Sequence, residues 1–267
     1  MTSIAMKGPP AGRVLVVAGS DPVAGAGLQA DLKSISALGG YALTVITAVT
    51  VQDTWRVHEF FPLTPELVTR QMRVVLRDVK VDCIKLGMLG SAAIIAAVTE
   101  VLADYPALPV VADPVLVAGG GGSLLGAGGV ELVRNCLLPR VTLLTPNVPE
   151  AEVLSGLAID STAAMESAAR RLAAGGTSIL LTGGHLPGET IDDLLFDGQA
   201  CHWFTSPRQA GPGFHGTGCT LASAVAVGLA QGMPLPAAVA RALAYVQQAV
   251  AGSFELGGGQ RVLRHFP

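Results

Sequence analysis

Charged side chains are scarce in this chain, and neither sign dominates. They make up 14% of the 267 residues, with 17 Lys and Arg against 20 Asp and Glu, which gives a formal net charge of −3. A protein that binds a nucleic-acid backbone needs clustered cations, and the sequence has no basic stripe. We therefore expect no nucleic-acid partner, although backbone N–H groups can still bind a small anion.

Cysteines and long apolar runs are also few. The four cysteines, at positions 83, 136, 201 and 219, form no C-x-x-C pair, so we expect reduced thiols and a cytoplasmic location. The first 13 residues lack the apolar core of a signal peptide. The apolar piece Leu221–Ala230 falls short of the roughly 20 residues that cross a bilayer, so it predicts a buried helix and no membrane partner.

What the sequence does contain is a regular alternation of strand and helix patterns. Half of its residues are hydrophobic, and Val/Ile/Leu runs typical of buried parallel strands alternate with helical periodicity. This predicts a doubly wound α/β fold, a mostly parallel sheet with helices on both faces. We expect a single domain over residues 1–267, with 1–12 as a flexible N-terminal segment.

The predicted strands are Val14–Ala18, Leu43–Ala48, Asp82–Leu86, Val110–Asp113, Val141–Thr145 and Ser178–Thr182. The predicted helices are Gly27–Leu38, Pro65–Val79, Ala92–Tyr105, Gly129–Leu138, Pro149–Gly156, Thr162–Gly175, Thr217–Ala230 and Leu235–Ala251, with Thr64 and Ser161 as N-caps. Asp197-Gly198 predicts the turn of an antiparallel hairpin between Thr190–Phe196 and Ala200–Thr205.

The first strand is followed by a glycine-rich segment in which Gly25–Ala30 fits G-x-G-x-x-A. A dinucleotide-binding fingerprint needs its first glycine directly after the strand and an acidic residue about 20 positions later. Neither condition holds, so we do not expect that site. Two interpretations stay open: the loop Ser20–Gly27 approaches a ligand, or Gly27 merely packs near the helix start.

Polar residues and glycines follow several predicted strands, where ligands bind in sheets of this kind. They are Gly19-Ser20-Asp21, Gln52, Gly87-Met88, Asp113-Pro114-Val115, Asn147–Glu150 and Gly183-Gly184-His185. A Gln amide can pair bidentately with an aminopyrimidine edge, although an exposed loop glutamine is the commoner situation. His185 either reaches a phosphate or ties its loop.

Two further patterns indicate phosphate chemistry. Gly216-Thr217-Gly218-Cys219 begins a helix, where unpaired N–H groups and the helix dipole form an anion site. There the pKa of the Cys219 thiol is expected to fall, unless Cys219 is a buried structural cysteine. Glu150 and Asp113 are candidate Mg²⁺ ligands, although on local evidence alone Asn147 and Glu150 fit a helix cap better, and Asp113 also fits a cap for the segment that follows it. Together these signals predict an enzyme for a small phosphorylated ligand.

The set resembles the hydroxymethylpyrimidine/phosphomethylpyrimidine kinases of thiamine biosynthesis, which have a ribokinase-like fold. The matching stretches are AGSDPVAGAGLQADLK, VITAVTVQDT, IKLGML, VVADPV, LLTPNVPEAEVL, LLTGGHL and HGTGCTLASA. The resemblance implies that ATP phosphorylates the pyrimidine hydroxymethyl group and then the resulting monophosphate, and it suggests a homodimer. Members commonly have Lys where this chain has Thr182.

Carried onto this chain, the resemblance implies that Gln52 pairs with the aminopyrimidine, in a pocket to which we also assign Gly19, Asp21, Met88 and Val115. Mg²⁺ and the ATP phosphates would be served by Asp113, Asn147 and Glu150, with Thr182, His185 and His215 assigned to the same nucleotide site. Residues Gly216, Thr217 and Gly218 would form the anion hole, and Cys219 would be the base of the first step. A pyridoxal-type kinase and a non-catalytic pyrimidine-binding protein are the alternatives.

Overall fold

A computed structural model describes residues 10–116, 128–211 and 213–266. The strands are β1 Arg13–Ser20, β2 Tyr41–Gln52, β3 Val57–Pro62, β4 Cys83–Leu86, β5 Val110–Ala112, β6 Leu143–Leu144, β7 Ser178–Leu181, β8 Thr190–Phe196, β9 Cys201–Pro207, β10 Phe214–His215 and β11 Arg261–Val262. The helices are α1 Gly27–Ala37, α2 Pro65–Asp78, α3 Ala92–Ala103, α4 Gly129–Leu132, α5 Val148–Ser155, α6 Thr162–Leu172, α7 Thr217–Ala230 and α8 Leu235–Ala251.

Nine strands form one sheet in the order β3-β2-β1-β4-β5-β6-β7-β8-β9. The six strands from β2 to β7 in that order are parallel, whereas β3, β8 and β9 pair antiparallel. One face packs on α1, α7 and α8, and the other on α2, α3, α5 and α6. The predicted doubly wound α/β fold is therefore confirmed, and the carboxyl ends of the parallel strands meet along one edge.

Most predicted elements form, and several boundaries move. Helices α7 and α8 have the predicted limits, and the caps Thr64 and Ser161 accept N–H groups of Leu67 and Ala164 at 3.3 and 3.4 Å. The predicted helix Gly129–Leu138 is wrong in its type after Leu132, where a π-helical turn and then a 3₁₀ turn follow. Pro139 lies in that last turn and lacks the N–H group that would continue an α-helix.

Three strands were not predicted: β3, β10 and β11. The first pairs with β2 at the edge of the sheet, and the other two pair with each other. The charge-free segment forms α7, whose residues Thr220–Gly228 are buried. Within the described ranges, no helix is long and apolar enough to cross a membrane. The predicted N-terminal segment 1–12 lies mostly outside the described residues.

Candidate functional site

Two cavities open at the carboxyl ends of the parallel strands and meet each other. The first, of about 260 Å³, lies beyond β1, β2, β4 and β5, and the second, of about 490 Å³, lies beyond β6 and β7. Of the predicted site residues, the first cavity contains Gly19, Asp21, Gln52, Met88, Val115, His215, Gly216 and Cys219. The second contains Thr182 and His185. Both are lined by Asp113, Asn147, Glu150, Thr217 and Gly218.

The loop after β1 is organised by the carboxylate of Asp21. This carboxylate accepts the backbone N–H groups of Val23, Gly25 and Ala26 at 2.8–3.0 Å, and His215 Nε2 at 2.9 Å. Burial opposes ionisation of Asp21, but the hydrogen bonds from His215 and the loop outweigh it and lower the pKa of this side chain. Asp21 therefore lies in the first cavity as a charged group whose acceptor sites hold the loop.

Glycines bring this loop against the start of α7. Gly27 has φ +55°, and a Cβ there would lie 2.5 Å from the carbonyl oxygen of Gly19. Gly216 has φ +86°, and a Cβ there would lie 1.9 Å from the carbonyl oxygen of Gly25. The segment G-x-G-x-x-A thus serves close packing between two loops, which places the Ser20–Gly27 loop beside the predicted anion site.

Gln52 ends β2, and its amide already has protein partners. Its Nε2 lies 2.9 Å from His215 Nε2, and its Oε1 lies 3.5 Å from Thr50 Oγ1. Sequence reasoning assigned His215 to the nucleotide phosphates. The structure instead places its imidazole in the first cavity, among the residues assigned to the pyrimidine.

The predicted anion site has the expected geometry. Helix α7 begins at Thr217 after a left-handed Gly216, with neither a side-chain cap nor an acidic residue in its first turn. Its first N–H groups are therefore available to an anion. A Cβ at Gly218 would lie 3.3 Å from Asp113 Oδ2, so the helix start and this carboxylate are close neighbours.

The expected low pKa of Cys219 is wrong. By surface area the residue is half-buried, but its thiol lies among buried groups, and this burial raises its pKa to about 12. The charge of Lys85 opposes the shift, and the charge of Asp113 adds to it. Removal from water thus outweighs the charge of Lys85, and the thiol is neutral at pH 7 in the ligand-free protein.

Beneath this helix lies a fully buried ion pair that sequence reasoning missed. Lys85 Nζ donates to both carboxylate oxygens of Asp31 at 2.9 and 3.0 Å, and Ser223 Oγ donates to the same carboxylate at 2.7 Å. Neither Lys85 nor Asp31 is exposed to solvent. A lysine inside the apolar strand of IKLGML was the available signal, because an isolated lysine is almost never fully buried without a partner.

Asn147 and Glu150 form the helix cap that the sequence offered as an alternative. Asn147 Oδ1 accepts the Glu150 N–H at 2.9 Å, and Glu150 Oε2 accepts the Asn147 N–H at 3.0 Å. Burial raises the pKa of Glu150 to about 7, to which the charge of Asp113 adds. Burial likewise raises the pKa of Asp113 to about 6, against the effect of Lys85.

The carboxyl groups of Asp113 and Glu150 fit Mg²⁺. Burial and their mutual repulsion disfavour the ionised forms, and a bound cation would stabilise them. The described residues contain no cluster of three or more His, Cys, Asp or Glu side chains suited to a metal. Mg²⁺ keeps several waters and uses one or two carboxylates together with substrate phosphates.

The second cavity has both polar and apolar lining residues. Its loop after β7 is held by Arg208, whose guanidinium donates to the carbonyl oxygens of Gly184, Leu186 and Gly188 at 2.5–2.8 Å. Apolar side chains also line this cavity: Ile191, Leu221, Leu243, Val246 and Val250. A planar apolar ring attached to a charged chain fits this arrangement.

Solved structures of kinases share this architecture. The chain is 34% identical to the pyridoxal kinase from Staphylococcus aureus in complex with ADP, with a TM-score of 0.89 over 96% of this chain and 94% of that one. A phosphomethylpyrimidine kinase from Clostridium difficile 630 matches at 34% identity with a TM-score of 0.80, over 90% and 99% of the two chains. The fold and the joined cavities define a kinase with a ribokinase-like fold.

Sequence comparisons give the family within that class. The family model described as phosphomethylpyrimidine kinase matches residues 21–264. A hydroxymethylpyrimidine/phosphomethylpyrimidine kinase of Streptomyces coelicolor is 47% identical over 92% of this chain and 91% of its own length. The bifunctional ThiED protein of Geobacter sulfurreducens is 46% identical over 96% of this chain, which spans 52% of that protein. The chain belongs to the phosphomethylpyrimidine kinase family.

Proposed function

We propose that this protein transfers phosphate from ATP to 4-amino-5-hydroxymethyl-2-methylpyrimidine, and then phosphorylates the monophosphate to the diphosphate, in thiamine biosynthesis. One observation carries the proposal. Two cavities of different character meet at Asp113, Asn147, Glu150, Thr217 and Gly218, so an acceptor in one and a nucleotide in the other would touch at the start of α7. The names of the curated relatives support this substrate.

The first cavity takes the pyrimidine in this proposal. Gln52 pairs with the aminopyrimidine edge, while Gly19, Met88 and Val115 line the pocket. A Cβ at Gly19 would lie 2.4 Å from the terminal methyl group of Met88, so a larger residue at position 19 would force Met88 to move. Asp21 acts here through the loop and His215.

The second cavity takes ATP. Its adenine would lie against the apolar lining residues, and its phosphates would extend past Thr182 and His185 toward the N–H groups of Thr217 and Gly218. Asp113 and Glu150 would hold Mg²⁺, directly or through water, with Asn147 fixing Glu150. The ion, when bound, supplies positive charge that offsets the charge on the transferred phosphoryl group.

The two phosphorylation steps differ in whether they need Cys219 as a base. In the first, the nucleophile is an alcohol, and we assign its deprotonation to Cys219. The high pKa of the thiol means that the thiolate is scarce at neutral pH, and the charge of Lys85 favours it. In the second, the nucleophile is a phosphate oxygen that is already ionised, so no base is needed.

A coupled assay with purified protein tests the function. ATP consumption is measured with hydroxymethylpyrimidine, with its monophosphate and with pyridoxal. We expect both pyrimidines to be phosphorylated. Pyridoxal is a second candidate substrate, because the solved structures that match include pyridoxal kinases. Preference for pyridoxal would contradict the proposal. If none of the three compounds led to ATP consumption, the result would favour a non-catalytic binding protein.

We further propose one kinase domain, a cytoplasmic location and a homodimer. All four cysteines are free thiols, as a reducing compartment requires. Strands β2 and β3 expose Val49, Val51 and Phe61 at 47%, 48% and 55%, an apolar face suited to a second copy. Sedimentation of the purified protein would test the dimer.

A further inference from the structure

His215 lies against two polar side chains at once. Its Nε2 is 2.9 Å from Asp21 Oδ2 and 2.9 Å from the side-chain amide of Gln52. The same Asp21 oxygen accepts the N–H groups of Gly25 and Ala26. A carboxylate with this many donors is ionised. The proton between His215 and Asp21 therefore belongs to His215 Nε2, which donates it to Asp21.

This proton decides how the Gln52 amide is turned. A half-turn about the last side-chain bond exchanges the oxygen and nitrogen of an amide, so the surrounding hydrogen bonds determine which atom faces which partner. If an amide N–H of Gln52 faced the Nε2–H of His215, two hydrogen-bond donors would point at each other with no acceptor between them. The favourable arrangement has Gln52 Oε1 facing the imidazole, which leaves Nε2 on the other side.

The hydrogen bonding of Thr50 independently favours the same orientation of the Gln52 amide. Its single hydroxyl hydrogen is donated to the carbonyl oxygen of Ser20 at 2.9 Å. Toward Gln52, which lies 3.5 Å away, Thr50 Oγ1 is left with lone pairs only. An amide N–H is the matching group at that position, so Gln52 Nε2 faces Thr50 while Oε1 faces His215.

We infer that His215 is a positioning residue that fixes the donor and acceptor order of Gln52, and that it thereby selects a pyrimidine with an amino group rather than an oxo group at C4. This inference rests on the proposed function, in which Gln52 pairs with the ring. The ring's hydroxymethyl group at C5 must point toward the anion site, and Gly216 of that site directly follows His215 in the chain.

The neighbouring C4 substituent then lies on the side of His215 and meets Gln52 Oε1, while ring nitrogen N3 meets the amide N–H. A 4-amino group donates to Oε1, and an unprotonated N3 accepts from Nε2. A 4-oxo ring presents the reverse order, with an acceptor oxygen at C4 and an N–H at N3. Binding of the oxo ring would require the amide to turn against both His215 and Thr50.

The test compares two substrates that differ only at C4: the 4-amino pyrimidine and its 4-oxo analogue. We expect wild type to favour the amino substrate in kcat/KM by about 5- to 150-fold, the range of one good bidentate pair. In His215→Leu the amide is free to turn, so this ratio should fall toward one. In His215→Gln, whose terminal amide supplies two N–H groups, most of the ratio should return.

His202→Leu is the matched control. His202 Nε2 lies 2.7 Å from Asp197 Oδ2, a comparable histidine–carboxylate contact on the β8–β9 hairpin, outside both cavities. This variant should keep the wild-type ratio. A general loss of stability lowers kcat/KM for both substrates by the same factor and leaves their ratio unchanged. The ratio therefore reports the orientation of the Gln52 amide.

Equal kcat/KM for the two substrates in wild type would overturn the inference without any variant. So would a His215→Leu protein that keeps the wild-type ratio. If wild type phosphorylated neither pyrimidine, the proposed function itself would be wrong, which is a separate outcome.

Discussion

Binding of MgADP should expel a proton from the buried carboxyl pair, and Glu150→Gln should prevent most of that release. Burial raises the pKa of Glu150 to about 7 and that of Asp113 to about 6. At pH 6.5 the pair therefore holds about one proton in the ligand-free protein. Carboxylates that serve a cation must be ionised, so binding of the nucleotide with its metal releases this proton.

The variant is chosen to keep the helix cap. A Gln side chain retains an oxygen that can accept the Asn147 N–H, which Glu150 accepts at 3.0 Å. It cannot ionise, and Asp113 loses a negative neighbour, so the pKa of Asp113 falls. Proton release should then drop well below half a proton. Glu152→Gln is the matched control, because Glu152 accepts the Ile159 N–H at 2.8 Å on the same helix and lines neither cavity.

The assay is titration calorimetry at pH 6.5 in two buffers of different ionisation enthalpy. The difference in observed heat counts the protons exchanged. Protons lost by ADP itself contribute to all three proteins alike, so a difference between them comes from the protein. The sign is fixed by the raised pKa values: affinity for MgADP should increase as pH rises from 5 to 7. Equal proton release in wild type and Glu150→Gln would mean that Glu150 only caps its helix.

Three further results are expected. Gln52→Leu should raise the KM for hydroxymethylpyrimidine by the equivalent of about 1–3 kcal/mol, with ATP hydrolysis in the absence of substrate unchanged; an unmoved KM would leave Gln52 without a substrate role. Cys219→Ser should slow phosphorylation of the alcohol by roughly 10²–10⁴ but spare the monophosphate, and in wild type kcat of the first step alone should rise with pH between 6.5 and 9; equal losses in both steps would refute the base role. In equilibrium unfolding by denaturant, Lys85→Met should cost about 3–5 kcal/mol because the buried Asp31 carboxyl loses its cationic partner, and adding Asp31→Asn should recover much of it, whereas a loss without recovery would contradict the buried ion pair.

The elements that could be predicted are those whose signals are local. Helix α8 has its predicted limits because Pro234 precedes it and Gly252 follows it. Strand β3 has no buried residue, so its sequence lacks the alternation that marks a half-buried strand. Strands β10 and β11 have two residues each, and their pairing joins positions 214 and 261. Such a contact leaves no pattern in either segment.

The sequence could predict which residues belong to the candidate site where this depends only on their position along a strand. Gly19 lies one residue before the end of β1, Gln52 ends β2 and Asp113 follows β5, and all three line the first cavity. Which neighbour each side chain meets depends on tertiary packing. The pairing of His215 with Asp21 spans 194 positions, and Asp31 accepts from Ser223 across 192.

The pKa of Cys219 shows why a local rule failed at the centre of the site. Position at a helix start favours the thiolate, but burial outweighs it, and the charge of Asp113 adds to the shift against the effect of Lys85. At neutral pH the ligand-free site therefore limits its charge by keeping protons on Cys219 and on the carboxyl pair. Under the proposed function, a cation held by Asp113 and Glu150 stabilises the ionised forms of these groups, so the protons are no longer favoured. The groups that act on substrate then ionise most readily when nucleotide and metal are bound, which ties reactivity to the loaded site.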